Sequence, residues 1–128
     1  MTAALAMDAR LLNGQALAYV GDSVHDLYIR TRAVRSGASV GSIHRAVVGQ
    51  VRCAAQADGL ARIEPMLTPD ELAIVKRGRN SHPRHAKPHG ATGADYSRAT
   101  GLEALLGYLY LTGQELRINA LLDALERT

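Results

Sequence analysis

Apolar residues recur at spacings of three and four along almost the whole of this chain of 128 residues. That period places side chains on one face of a helix, whereas the side chains of a strand would alternate every second residue. In chain order, helices are predicted over about residues 15–32 and 42–59, as a short piece over 61–66, from residue 69 onwards, over about 97–111, and at the C-terminal end. No segment alternates as a strand would. The sequence therefore predicts an all-α fold, built as one domain spanning residues 1–128.

The same spacing predicts which apolar side chains each helix carries towards the core. They are Leu17, Val20, Val24, Leu27 and Tyr28 in the first helix, Ile43, Val47, Val51, Ala54 and Ala55 in the second, Leu72 and Val75 in the next, Leu102, Leu105, Leu106 and Leu109 in the fourth, and Leu116, Leu121, Leu122 and Leu125 in the last. The chain has no Phe and no Trp, so the core is expected to consist of Leu, Val, Ile and Ala. The missing rings also disfavour a binder of single-stranded nucleic acid, since such proteins stack bases on aromatic side chains.

Two helix boundaries and one loop are predicted from local signals. Thr68, Pro69 and Glu71 form a capping box with proline at the first helical position. Gly113 is expected to end the fourth helix. A mobile surface loop is predicted over residues 82–94, because this stretch contains Pro83, Pro88, Gly90 and Gly93. The loop makes up most of a basic segment at about 80–95.

Positive charge is concentrated in one part of the chain. The formal net charge is +3, and residues 76–98 hold six Lys or Arg and a single acid, Asp95. Such a block is typical of a solvated surface or of a site for a polyanion. On the second interpretation, the residues expected to contact a nucleic acid are Lys76, Arg77, Arg79, Asn80, Arg84 and Lys87, with His82, His85 and His89 adding attraction or lying on the surface. Arg79 has an alternative structural role, bracing the neighbouring helices.

Two carboxylates stand alone in apolar helical segments. Asp22 follows Gly21, and both are poor choices for a helix interior. Glu103 flanks an apolar stripe, with Gly107 one turn later. A helix crossing at these two glycines would bring the carboxylates together as ligands for a hard cation such as Mg²⁺, which prefers oxygen donors. The alternative is that both acids simply face solvent.

Histidines suggest a competing metal site. His25 and Asp26 form the dipeptide found in HD-type phosphohydrolases, and His44 is also predicted to be helical. The segments around His44 and His89 have no recognisable ligand spacing. The HD hypothesis predicts dependence on His25 and activity on small phosphoesters.

The remaining features concern location. Cys53 is the only cysteine and is expected to be a small buried residue, consistent with a reducing compartment. No apolar run is long enough to cross a bilayer, and residues 1–8 lack the basic start of a signal peptide. These features predict a cytoplasmic protein without membrane association.

Several segments together resemble a known family. Ala16–Val24, with the sequence ALAYVGDSV, resembles the signature helix of the ribonuclease III endonuclease domain, and Leu102–Gly107, LEALLG, resembles its second acidic helix. The segments Leu12–Gly14, Lys76–Asn80 and Gly107–Leu111 resemble Mini-ribonuclease III, the branch without a double-stranded RNA-binding domain. The resemblance covers residues 12–125, with the motifs in the expected order.

The resemblance implies a helical bundle that acts as a metal-dependent endoribonuclease on double-stranded RNA. Asp22 corresponds to the catalytic aspartate and Glu103 to the metal-binding glutamate, with Mg²⁺ as cofactor and Mn²⁺ as a possible substitute. Ala18 and Thr100 stand where full-length ribonuclease III has two further acids, and Arg98 and Ala99 also depart from the pattern of the branch. The branch implies a homodimer and precursor 23S ribosomal RNA as the typical substrate. The alternative is a non-catalytic helical adaptor that binds RNA or the ribosome.

Overall fold

Five α-helices and two short 3₁₀ helices make up the computed structural model, which describes residues 8–37, 49–81 and 93–126, and side chains within 8–37, 53–81 and 93–126. The helices are α1 (Gly14–Arg35), α2 (Gly49–Ile63), α3 (Pro69–Arg79), α4 (Gly93–Leu111) and α5 (Glu115–Glu126), and the 3₁₀ helices are Ala9–Leu11 and Glu64–Met66. The described residues contain no strand. The all-α prediction is confirmed.

Helix α4 is the centre of the bundle and contacts all four of the other α-helices. This position explains why it is apolar on nearly every side, with nine buried residues that include Leu102, Leu105, Leu106 and Leu109. The core around it contains Leu, Ile, Val and Ala and no fully buried aromatic ring among the described residues, as the composition predicted. No helix within the described ranges is long and apolar enough to span a bilayer.

The predicted helix boundaries are confirmed at α3 and at the end of α4. The Thr68 hydroxyl accepts from the Glu71 amide at 3.1 Å, and the Glu71 carboxylate accepts from the Thr68 amide at 2.9 Å, completing the capping box. Gly113 has a φ of +72°, and the Gln114 amide donates to the Leu109 carbonyl at 2.8 Å. This bond is the one that defines a Schellman motif, in which glycine takes the left-handed position.

Three predictions about elements and faces were wrong. Residues 93–95, assigned to the basic loop, are the first turn of α4. Residues 82–92 of that loop lie outside the described residues. Ala54 and Ala55 are exposed, since α2 turns Cys53, Gln56, Ala57 and Leu60 inward instead. Leu27, Leu72 and Leu116 are also exposed, at 61%, 42% and 88%.

A partly buried ion pair joins α3 to α5. Arg117 donates from Nε and Nη2 to the two carboxylate oxygens of Glu71, at 2.8 and 2.7 Å, and Nη2 also reaches the Met66 carbonyl at 2.9 Å. The Glu71 side chain is only 7% exposed. The hydrogen bond from Arg117 is the main cause that holds the pKa of Glu71 below its ordinary value.

This pair predicts a pH-dependent stability. A carboxyl group with a lowered pKa stabilises the fold above its unfolded pKa of about 4.3, and the contribution is lost as the pH falls through the folded pKa. We expect Glu71→Gln to cost about 2–3 kcal/mol at neutral pH, the range for hydrogen bonds to charged groups. The free energy of unfolding of the variant should also fall less steeply below pH 4 than that of the wild type in urea titrations. Arg10→Gln, which breaks the exposed pair with Asp8, is the control and should leave the unfolding midpoint unchanged. Parallel pH profiles for wild type and Glu71→Gln would contradict the assignment.

Candidate active site

Helices α1 and α4 cross with their backbones in contact at Gly21 and Gly107. A Cβ atom built on Gly21 would overlap the carbonyl oxygen of Glu103 and lie 2.8 Å from the Gly107 nitrogen. A Cβ on Gly107 would overlap the carbonyl oxygen of Leu17 and lie 3.0 Å from the Gly21 nitrogen. Only glycine fits at either position. The crossing that the sequence predicted at these two glycines is therefore confirmed.

The crossing brings the two acidic positions into one place. Asp22 follows Gly21 directly, and the carbonyl of Glu103 lies against Gly21. The Asp22 side chain is exposed and the Glu103 side chain is half-buried, and each has interaction partners. One backbone contact thus brings together two acidic positions that are 81 residues apart in the sequence.

Cys53 and Tyr96 are neighbours of this site that the sequence did not suggest. Burial raises the pKa of the Cys53 thiol, and the charges of Asp95 and Glu103 raise it further. Burial likewise raises the pKa of Tyr96, with Glu103 as the next cause. Tyr96 lies seven residues before Glu103, a spacing that puts both on one face of a helix, and this was the signal available in the sequence. Cys53 itself is buried, as predicted.

The site offers few metal-binding atoms, and these are carboxylate oxygens, which are hard donors. In the part of the chain that the structure describes, no three His, Cys, Asp or Glu side chains are grouped to hold a metal ion. Ala18 is buried, and the buried Thr100 hydroxyl donates to the Tyr96 carbonyl of its own helix at 2.8 Å. The two carboxylates alone fit Mg²⁺, which commonly takes one or two carboxylates and fills its other positions with water and substrate phosphate.

The HD-type metal site is not supported by the structure. The His25 side chain is buried, and its Nδ1 pairs with the Gln56 amide at 2.8 Å. His25 therefore joins α1 to α2 within the bundle, as a buried polar group with a partner. His44 and His89 lie outside the described residues.

The predicted RNA contacts are divided between exposed and internally bonded residues. Lys76, Arg79 and Asn80 are exposed at the end of α3, where Asn80 is the C-terminal cap. Arg77 is half-buried, and its Nη1 donates to the carbonyls of Arg10 and Leu12 at 2.6 and 2.9 Å, which ties the N-terminal segment to α3. Arg84 and Lys87 lie outside the described residues, as do the loop histidines His82, His85 and His89.

Arg79 also contributes to helix packing. Its Cγ lies 2.7 Å from the position that a Cβ on Gly101 would take, so its stem covers the glycine surface of α4. Its carbonyl accepts from the Ser97 hydroxyl at 2.8 Å. The backbone and stem of Arg79 hold α3 against α4, while contact of the guanidinium with RNA remains a prediction.

Comparisons with known proteins identify relatives over nearly the whole chain. The family described as Ribonuclease III domain matches residues 15–114, a range that includes Asp22 and Glu103. A Mini-ribonuclease 3 of Synechococcus is 45% identical over 94% of this chain and 85% of its own length. A Mini-ribonuclease 3 of Thermoanaerobacter is 42% identical over 88% of this chain and 79% of its own. A crystal structure of a Fusobacterium nucleatum protein superimposes with a TM-score of 0.83 at 27% identity, covering 95% of this chain and all of that one.

Proposed function

Because the chain belongs to the ribonuclease III family, we propose that it is a metal-dependent endoribonuclease that hydrolyses phosphodiester bonds in double-stranded RNA. The observation that carries the proposal is the backbone contact of Gly21 with Glu103 and Gly107, because it joins the two acidic positions of the family pattern. A non-catalytic adaptor would have no need to keep both acids at such a crossing.

Asp22 and Glu103 would hold the Mg²⁺ ion, directly or through water, and Mn²⁺ would serve as a substitute. When bound, the ion would supply charge stabilisation at the scissile phosphate and lower the pKa of a water molecule. The α1–α4 crossing would keep the two acidic positions at a constant separation, because the backbones of the two helices touch at Gly21 and Gly107. The charge of Glu103 contributes to the raised pKa of both Tyr96 and Cys53.

The basic residues at the end of α3 would hold the RNA. Double-stranded RNA is recognised by its shape, through phosphates and 2′-hydroxyls. Lys76, Arg79 and Asn80 are exposed for this role, and we propose that Arg84 and Lys87 add to it. The proposed natural substrate is structured RNA, specifically precursor 23S ribosomal RNA, and the proposed location is the cytoplasm. The single unpaired thiol, Cys53, is compatible with that reducing compartment.

Metal removal provides the direct test of the proposed activity. We expect the protein to cut a long RNA duplex in the presence of Mg²⁺, and we expect excess EDTA to stop cutting while Mn²⁺ restores it. The products would be followed by gel electrophoresis, with single-stranded RNA and duplex DNA as controls. A protein that binds the duplex and leaves it whole at every metal concentration would instead be an adaptor.

The exposed side of α1 predicts a homodimer. Tyr19, Leu27 and Val34 are 83%, 61% and 65% exposed, and their spacing keeps them within one side of the helix. An apolar stripe of this kind is costly to leave in water and is typical of an interface. We expect sedimentation to give twice the chain mass at micromolar concentration, and Tyr19→Glu to shift the protein towards monomer. Wild-type protein that sediments only as a monomer would contradict the proposal.

A further inference from the structure

A groove of about 380 Å³ lies between the end of α3, the start of α4 and the 3₁₀ helix Glu64–Met66. This volume is within the range of about 300–1,000 Å³ that is common for small-molecule sites. Its walls are apolar at Leu72 and Val75, cationic at Lys76 and Arg79, polar at Asn80 and Ser97, and acidic at Glu64.

One face of α3 supplies the main wall. Leu72, Val75, Lys76 and Arg79 follow one another at spacings of three, one and three, so they form a single stripe along the helix. The stripe runs from an apolar end at Leu72 to a cationic end at Arg79, about 10 Å further along the axis. A nucleotide has the same polarity over a similar length, with an apolar base face at one end and a phosphate at the other.

Helix capping explains only part of this arrangement. Cations in the last turn of a helix stabilise its C-terminal carbonyls, which accounts for Lys76 and Arg79 without any ligand. It does not account for Leu72, which is 42% exposed one turn earlier, or for Glu64 on the facing wall. An anion site alone would be weakened by that carboxylate.

Glu64 gives the groove a preference for particular bases. A carboxylate only accepts hydrogen bonds and can take two parallel N–H donors. The Watson–Crick edge of guanine offers two such donors, whereas uracil offers one N–H between two carbonyls. In a duplex that edge is already paired, so a base that meets Glu64 must lie outside the duplex.

We propose that this groove binds one unpaired nucleotide, with guanine favoured, its base over Leu72 and its phosphate at Lys76 and Arg79. The proposal rests on the proposed function in one respect, that the nucleotide belongs to the RNA substrate as a bulge or an overhang. Ser97 of the groove lies six residues before Glu103 on α4, about 9 Å along the axis and on a different side of the helix. The groove would therefore bind RNA beside the cut, and not the scissile phosphate.

The first test uses mononucleotides and does not depend on nuclease activity. Guanosine, adenosine and uridine monophosphates and inorganic phosphate would each be titrated into the metal-free protein, followed by NMR shifts of the Leu72 methyl groups and the Asn80 amide. We expect saturable shifts with guanosine monophosphate, at a Kd at least about fivefold below those for the other two nucleotides. Glu64→Gln should remove this preference, and Asp58→Asn, which removes the same charge from an exposed position on α2, should keep it. Equal affinity for all three nucleotides and phosphate, or no saturable shift, would overturn the proposal.

The second test identifies the source of the nucleotide. Cleavage rates would be compared for a fully paired RNA duplex and for the same duplex with one bulged guanosine. We expect the bulged duplex to be preferred at least about fivefold, and Glu64→Gln to reduce that ratio towards one. A protein that binds guanosine monophosphate yet cuts both duplexes equally has a site for a free nucleotide, which overturns the RNA assignment. A protein that cuts neither duplex refutes the proposed function, while the mononucleotide titration still decides whether the groove is a nucleotide site.

Discussion

Cleavage of double-stranded RNA should be lost in Asp22→Asn, with kcat reduced at least about a hundredfold, equivalent to about 2.7 kcal/mol of transition-state stabilisation. The amide keeps the shape of the side chain but removes the charge that holds the cation. Asp22 is exposed and lies outside the core, so the fold should not change. Single-turnover cleavage of a defined duplex measures the loss, and duplex binding should persist because the proposed phosphate contacts are elsewhere.

The control for this loss is Asp58→Asn, which makes the same change at an exposed position on α2. It should cut at the wild-type rate. Glu103→Gln should be inactive like Asp22→Asn, and high Mg²⁺ or Mn²⁺ should partly restore it if metal affinity is the cause. Near-normal turnover by Asp22→Asn would refute its assignment as the catalytic aspartate. A Glu103→Gln defect that does not respond to metal would point to a role in folding.

The second large effect is expected from a single methyl group at the α1–α4 crossing. Gly21→Ala forces its Cβ against the Glu103 carbonyl and the Gly107 nitrogen, both backbone atoms that have no other rotamer. Overpacking of this kind costs about 3 kcal/mol or more, which exceeds the gain of about 1 kcal/mol that alanine gives within a helix. Urea unfolding should show the loss directly. RNA cleavage should fall even at temperatures where the variant remains folded, because the same collision displaces Glu103.

Gly59→Ala is the matched control for that experiment. Gly59 is also a buried helical glycine, but the one clash of its added Cβ would be with Cδ2 of Leu125 at 2.5 Å, the far end of a flexible side chain, and its other neighbours lie at 3.8 Å. We expect Gly59→Ala to be nearly neutral or slightly stabilising. Equal effects of the two substitutions would show that helix propensity, and not the crossing, governs Gly21.

The sequence predicted helix boundaries well where a residue at the boundary has a specific capping role. Thr68, Pro69 and Glu71 predicted the start of α3, and Gly113 predicted the end of α4, because caps depend on neighbouring residues alone. The face of α2 was wrong at Ala54 and Ala55, since small residues fit either side of a helix and their spacing does not select one. Which face of α2 points inward is set by its packing against helices that are distant in the sequence.

In the candidate site and the helices around it, some contacts were likewise predictable from the sequence and others were not. Gly21 and Gly107 predicted the helix crossing, because two glycines inside apolar helices are costly unless another backbone needs the space. The pairing of Glu71 with Arg117, 46 positions apart, has no signature in the sequence, as either residue is ordinary on a helix. The closeness of Cys53 to Glu103 depends on how α2 packs against α4, which periodicity does not specify.

The crossing of α1 and α4 also determines when during folding the site can exist. Leu17 and Gly21 meet Glu103 and Gly107 across more than eighty intervening residues, so this contact carries a large loop-closure entropy. Contacts of such high sequence separation slow folding, because the chain must be closed before they add stability. Without this contact, nothing in the described fold would bring the positions of Asp22 and Glu103 together. Under the proposed assignment, the site would therefore form late in folding, only after α1 has packed against α4.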